Sequence, residues 1–461
     1  MIYKDNKVSD IQIAYIGGGS MGWAWTFMTD LSLEDKISGT IRLYDINNEA
    51  AKRNEAIGND MLNDPKRKGK WKYTTTNSLK DALTGADFVV ISILPGTFEE
   101  MHSDVHSPEK YGINQPVGDT TGPGGIMRSL RTIPMFVEFA EAIKKYSPNA
   151  WVINYTNPLA ICVKTLYHVF PEIKAFGCCH EVFNTQKLLA TMCKDRLNIE
   201  QINRDEIKVN VMGINHFTWF SHASYKGIDL FTMYREFVNE HYNTGYPKNF
   251  DGYLNDVFAC SHKVKFDLFR KYGLIAAAGD RHLAEFMPPI YLKDIETANS
   301  YGFTFTSVDH RIEDLHKRQE RSQRLFSGEE SLDYTPSGEE GILLIKSLVG
   351  LERTISNINL PNRGQITNLP LGAVVETNAV FERDHIAPVI AGDIPQDIKD
   401  LTMPHIENHE YVLEAGLNYD KELAIKAFLN NSLVTISEAD ARKLFDEMLV
   451  NTKAYLPKEW F

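Results

Sequence analysis

The stretch "IAYIGGGSMGWAW" places the tightest limit on how this chain can fold. An apolar run ends in Gly17-Gly18-Gly19-Ser20-Met21-Gly22, a G-x-G-x-x-G pattern, and a helix-forming segment from Trp23 to Leu33 follows at once. Glycines at those places allow a tight strand-to-helix turn. Backbone N–H groups can then approach a pyrophosphate, and the helix N-terminus favours its charge. A second apolar segment, "GTIRLYDI", reaches Asp45, where an acid would meet the ribose hydroxyls of a dinucleotide. An acid there repels a 2′-phosphate, so the pattern points to NAD rather than NADP. The competing reading is a glycine turn kept for helix–strand packing alone.

The first half continues in the same rhythm. "NEAAKRNEAIGNDML" has helical spacing, "ADFVVISIL" and "AWVINYTN" are continuous apolar runs, and "RSLRTIPMFVEFAEAIKKYS" carries an apolar helical stripe. Alternation of this kind predicts an α/β fold, a Rossmann-like doubly wound parallel sheet with right-handed crossovers. After about residue 200 the rhythm changes. "EIKVNVMGINHFTWFSHASY" reads as antiparallel strands. "LNDVFACSHKVKFDLFRKYG", "SGEEGILLIKSLVG" and "ELAIKAFLNNSLVTISEADARKLFDEMLVN" read as helical. The expected division is an NAD-binding domain over residues 1–200 and an α+β domain for substrate, metal and oligomerisation over 201–461. With no flexible linker, the second should pack on the strand ends of the first.

The formal charge of −12 argues against non-specific binding of nucleic acid or anionic membrane. No secretory signal and no apolar run of membrane-spanning length is evident. The five cysteines, sparse and odd in number, read as reduced thiols of a cytoplasmic protein.

Candidate site residues cluster at predicted strand ends. The Leu94-Pro95-Gly96 turn should lie near a bound dinucleotide, or be a plain βα turn. "GDTTGPGGIMRSLRTIP" reads as a glycine-rich loop feeding a helix with Arg128 and Arg131, a seat for an anion or a mobile loop with a solvated helix face. Asn157 suits a sugar hydroxyl or a helix cap. Cys179 in "AFGCCHEVF" and His216 in "MGINHF" each follow a strand-like segment. A thiolate and an imidazole can hold a borderline-soft divalent metal with positions left open for substrate, although buried cysteines and core histidines are commoner. "LIAAAGDRHLAEFMP" gathers Asp280, Arg281, His282 and Glu285, with Arg281 able to pair with a carboxylate and Asp280 able to cap a helix.

Together "GGGSMGWA", "SILPG", "GDTTGPGGIMRSLRTIP", "INYTNPL", "CCHEV", "GINHF", "NLPNRGQITNLP" and "AVVETNA" resemble glycoside hydrolase family 4, the NAD- and metal-dependent glycosidases, over nearly the whole chain. The resemblance implies glycoside cleavage by oxidation at sugar C3, loss of the acidified C2 proton, departure of the C1 group, addition of water and re-reduction. It also implies a divalent metal, usually Mn2+, held by Cys179 and His216. NAD would sit on Gly17–Gly22 with Asp45, and Asn157 would contact substrate. Cys179-His180-Glu181-Val182 looks like the α-galacturonidase branch, so the expected substrate is a small uronic-acid glycoside derived from pectin. His180 stands where related enzymes carry an acid. Asp280 is the first choice for the base and Tyr272 the second. Arg281 and Arg128, with His282 and Glu181, are the expected substrate contacts. The resemblance further suggests a homodimer or homotetramer. α-Glucuronidase and α-galactosidase specificities are the alternatives, then a malate/lactate-type dehydrogenase and an NAD-binding regulatory protein.

Overall fold

The structure is a computed structural model that describes residues 1–247 and 258–461. Its strands are β1 (Ile2–Lys4), β2 (Lys7–Ile16), β3 (Ile37–Tyr44), β4 (Lys70–Thr76), β5 (Phe88–Ile91), β6 (Trp151–Asn154), β7 (Lys174–Gly177), β8 (Ile207–Ile214), β9 (Phe217–Tyr225), β10 (Ile228–Asp229), β11 (Ile275–Ala276), β12 (Thr354–Pro361), β13 (Val374–Glu382) and β14 (His385–Pro388). Six of them form the expected parallel sheet in the order β4-β3-β2-β5-β6-β7. The order reverses between β2 and β5, the place where a doubly wound sheet opens a ligand crevice at its carboxyl edge. The runs that read as buried strands are buried: all four residues of β5 are out of solvent, helices covering both faces.

The sheet does not stop at β7. β12 pairs antiparallel with it through Asn359 and Gly177, and β13 and β14 extend the edge. One ten-stranded sheet therefore crosses the division expected near residue 200. Its core does the same, bringing Ile13, Phe88 and Phe176 together with Ile345, Ile358 and Phe381. The antiparallel reading of residues 206–225 corresponds to β8 and β9, which pair antiparallel beside β10 and β11. This smaller sheet packs with the C-terminal helices, for Trp219 shares a core with Phe428 and Phe445.

Two helical expectations shift. The "glycine-rich loop" is already helix at Gly122, Gly124 and Gly125, since the helix spans Gly122–Tyr146 with Pro123 in its first turn. Glycine is needed there for close approach: a Cβ on Gly125 would lie 2.5 Å from the Thr120 carbonyl carbon. The segment read as helical from Leu254 is helix over Lys263–Tyr272, and its first four residues lie outside those described. Among the described residues, no helix is long and apolar enough to cross a membrane.

Candidate active site

The dinucleotide turn has the geometry its glycines suggested. Gly17 adopts φ +96°, and a Cβ there would sit 1.9 Å from the Ser92 carbonyl oxygen at the end of β5. The Gly19 amide donates to Asp45 Oδ2 at 2.8 Å, and Asp45 Oδ1 accepts from the Asn47 amide. Asn54 braces the turn by donating to the Gly18 and Ser20 carbonyls. Met21 packs against the core of the large sheet. The following Trp23–Leu33 helix has no side-chain cap at Gly22, which leaves its first amides for an anion. Leu94 is exposed beside this turn, and Gly96 also adopts φ +96°. Arg131 donates to the Pro95 carbonyl oxygen and forms a fully buried two-point ion pair with Asp104. Arg131 thus shapes the turn and is not a free anion seat. The cradle fits a dinucleotide.

At the adjacent strand ends Asp119, His216 and His282 converge, with ligand atoms all within 4.8 Å of one another. Thr120 ties them together: its hydroxyl donates to Asp119 Oδ1 at 2.8 Å and lies 3.0 Å from His216 Nδ1. Asn157 donates to Asp119 Oδ2 at 3.3 Å. The imidazoles of His216 and His282 lie tilted at 33° to each other, centroids 4.1 Å apart. Burial, then the neighbouring His282, pushes His216 down to about 3, so it stays neutral as a metal ligand must. Burial would raise the Asp119 carboxyl, but Arg128, His282 and His216 outweigh it and hold it well below the usual range. The same histidines and His180 bring Glu181 down to about 2 against its burial, helped by the Gly279 amide 2.7 Å from Oε2. The peptide bonds Asn157–Pro158 and Asn215–His216, which lead into this cluster, are both cis.

Cys179 stands outside the converging trio. Burial drives its thiol well up, and Glu376 and Glu181 add to the push, while the Asn215 amide opposes it. A bound cation reverses that balance, since a coordinated thiol loses its proton. A carboxylate and an imidazole, with the Cys179 thiol, offer donors that suit a borderline divalent ion, and the second imidazole lies beside them.

The other expected residues divide. His180 lies at the mouth, with Nδ1 3.3 Å from Glu339 and Nε2 3.7 Å from Glu181. Arg128 donates to the Asn157 carbonyl oxygen, and Arg281 donates to Thr306 and to the Phe258 carbonyl oxygen. Asp280, expected as the base, has another post. Its two oxygens accept the amides of Val264 and Lys265 at the start of the Lys263–Tyr272 helix, in a separate group with Cys260 and His262. Tyr272, the second choice, packs edge-on against Trp219 at 5.9 Å, in the core of the C-terminal helices. Neither joins the trio. His282 does, and its Nδ1 is buried with no hydrogen-bond partner among the described residues. Asp119 and Thr120 went unnoticed in "GDTT", where the glycines drew attention.

The sequence matches the description of the family 4 glycosyl hydrolases over residues 12–195 and that of their C-terminal domain over residues 211–434. It is 61% identical over 464 residues to a protein of Lachnoclostridium phytofermentans named alpha-galacturonidase, covering 100% of both chains. A Bacillus subtilis crystal structure, provisionally named a glucosidase, superposes with a TM-score of 0.92 at 49% identity over 96% of this chain and 100% of that one. A 6-phospho-alpha-glucosidase from gut microorganisms, solved with NAD and Mn2+, shares the fold at a TM-score of 0.81 and 21% identity over 97% and 99% of the two chains. The chain belongs to the family 4 glycosyl hydrolases.

Proposed function

We propose that this chain hydrolyses α-galacturonides by oxidation, elimination and addition, with NAD and a divalent metal such as Mn2+. The observation that supports the reading is the electrostatic contact of Glu181, which follows Cys179-His180, with His216 and His282, in a chain 61% identical to an alpha-galacturonidase. NAD supplies a reversible hydride acceptor and the metal supplies Lewis acidity. Gly17–Gly22, Asp45 and the Leu94–Gly96 turn hold the dinucleotide. His216, Cys179 and Asp119 hold the metal. His282, whose Nδ1 has no partner among the described residues, is the group that takes the C2 proton. His180, at the mouth, serves the leaving group. Asn157 and Glu181 position the sugar, and Arg128 and Arg281 give the pocket the positive field that a C6 carboxylate needs. The protein works in the cytoplasm as a homodimer or homotetramer on small uronic-acid glycosides, with no nucleic-acid or membrane partner.

A panel of 4-nitrophenyl α-glycosides with NAD and Mn2+ tests this. The expected result is release of galacturonate without net NADH, lost on adding EDTA. Equal turnover of the α-galactoside would overturn the branch assignment. Stoichiometric NADH would favour a dehydrogenase.

A further inference from the structure

Of the four arginines on the Val308–Ser327 helix, Arg311 and Arg318 stand seven positions apart. That spacing is about two turns, so they share a face roughly 10 Å apart. Arg318 Nη1 stands 2.6 Å from where a Cβ on Gly22 would lie, over the dinucleotide turn. Arg311, on the substrate side, is influenced by Asp119, Arg281 and Glu285. One helix face therefore looks onto both halves of the site.

Arg311 is anomalous. The residue is half-buried, and its Nε is shut off from solvent with no hydrogen-bond acceptor among the described residues. The acids near it are committed elsewhere. Asp119 accepts from Thr120 and Asn157, and Glu285 Oε1 accepts the amides of Val117 and Gly118 at 2.7 and 2.8 Å. Glu285 Oε2 is itself buried and has no partner among the described residues, and burial raises this carboxyl to about 8, so at neutral pH it brings Arg311 no negative charge. Arg281 adds a second guanidinium close by, with Nη1 donating to Thr306 and Nη2 to the Phe258 carbonyl oxygen. A buried N–H without an acceptor, beside a like charge, costs stability. A planar anion arriving there removes both costs, and a carboxylate matches the guanidinium fork.

We propose that Arg311 is the specificity-determining residue for uronides, its guanidinium receiving the C6 carboxylate of the sugar while Arg128 and Arg281 stay bound to the protein and supply only field. This rests on the galacturonide reading above. Binding of D-galacturonate and of D-galactose to the full chain with NAD and Mn2+ is measured by calorimetry for wild type, Arg311→Met and Arg311→Lys. Galacturonate should weaken at least about tenfold in Arg311→Met and recover in part in Arg311→Lys, a loss in the range for a charge-assisted pair. Galactose and NAD affinities should hold. Equal weakening of both sugars, or unchanged galacturonate binding, overturns the assignment. Because the readout is binding, failure of this proposal is separable from failure of the activity: a wild type that hydrolyses α-galacturonides alongside an Arg311→Met variant that still prefers galacturonate removes only the arginine's role. Should Arg311→Met not fold, Arg311→Lys alone decides, by whether its preference for galacturonate over galactose falls.

Discussion

Glu285 gives a test in which the sign and size of a pH effect follow from the fold. Its carboxyl is fully buried, and burial raises it to about 8 although Oε1 accepts two backbone amides. Its ordinary value is 4.5. Between those values the folded chain binds a proton that the unfolded chain has released, so stability falls as pH rises. Below the lower value both forms are protonated and nothing is lost; above the upper value the loss is complete. At about 1.4 kcal/mol per pH unit, the loss is about 3 kcal/mol at neutral pH and about 5 kcal/mol once complete. Glu285→Gln keeps an oxygen for the Val117 and Gly118 amides and cannot titrate. For a chain of this length about 1 kcal/mol corresponds to roughly 1 °C in melting temperature. The melting temperature of Glu285→Gln minus that of wild type, both without added metal, should therefore rise by roughly 3–5 °C between pH 5 and pH 9, the span of this titration. All other titrating groups are common to the two proteins and cancel. A difference that stays flat with pH refutes the reasoning.

Three further outcomes are expected. Asp280→Asn should melt lower, by about 1–2 kcal/mol of lost capping, yet keep its turnover within a few-fold, whereas His282→Asn should lose about 100-fold or more in kcat; the reverse pattern would restore Asp280 as the base. Gly19→Ala places a methyl 2.9 Å from Asp45 Oδ2 and 2.8 Å from the Ala50 Cβ, so NAD affinity followed by fluorescence should fall about tenfold or more, and unchanged affinity would argue against this cradle. Arg131→Met leaves Asp104 charged and buried, and denaturant unfolding should show a loss of about 3–5 kcal/mol.

What could be read from sequence was what neighbouring residues decide together. The Gly17–Gly22 turn, Asp45 and the parallel strands are set by local spacing and apolar runs, and they appear where expected. The site's chemistry is set by long-range convergence. Asp119 and His216 lie in two separate connections and His282 in the Asp280–Phe286 helix, and no spacing links them. Asp280 reads as a base because it lies in "YGLIAAAGDRH", where the resemblance puts that residue, but two helical positions turn its side chain about 200° from that of His282, and it faces the amides of Val264 and Lys265. "NLPNRGQITNLP" and "AVVETNA" gave a family resemblance but not their placement, since adding strands to the far edge of a parallel sheet leaves no local mark.

That added edge has a consequence for any attempt to dissect the protein. Cutting near residue 200 would strip β12 from β7 and leave Lys174–Gly177 as a raw, mostly buried strand with unpaired amides and carbonyls. Such an edge recruits other chains, and the excised dinucleotide half would aggregate rather than bind its ligand. In the intact chain the sheet instead finishes on β14, four residues long and closing on Pro388, which cannot donate to an incoming strand. The carboxyl-terminal strands thus act as a selvedge, keeping the cofactor-binding sheet from fraying into its neighbours.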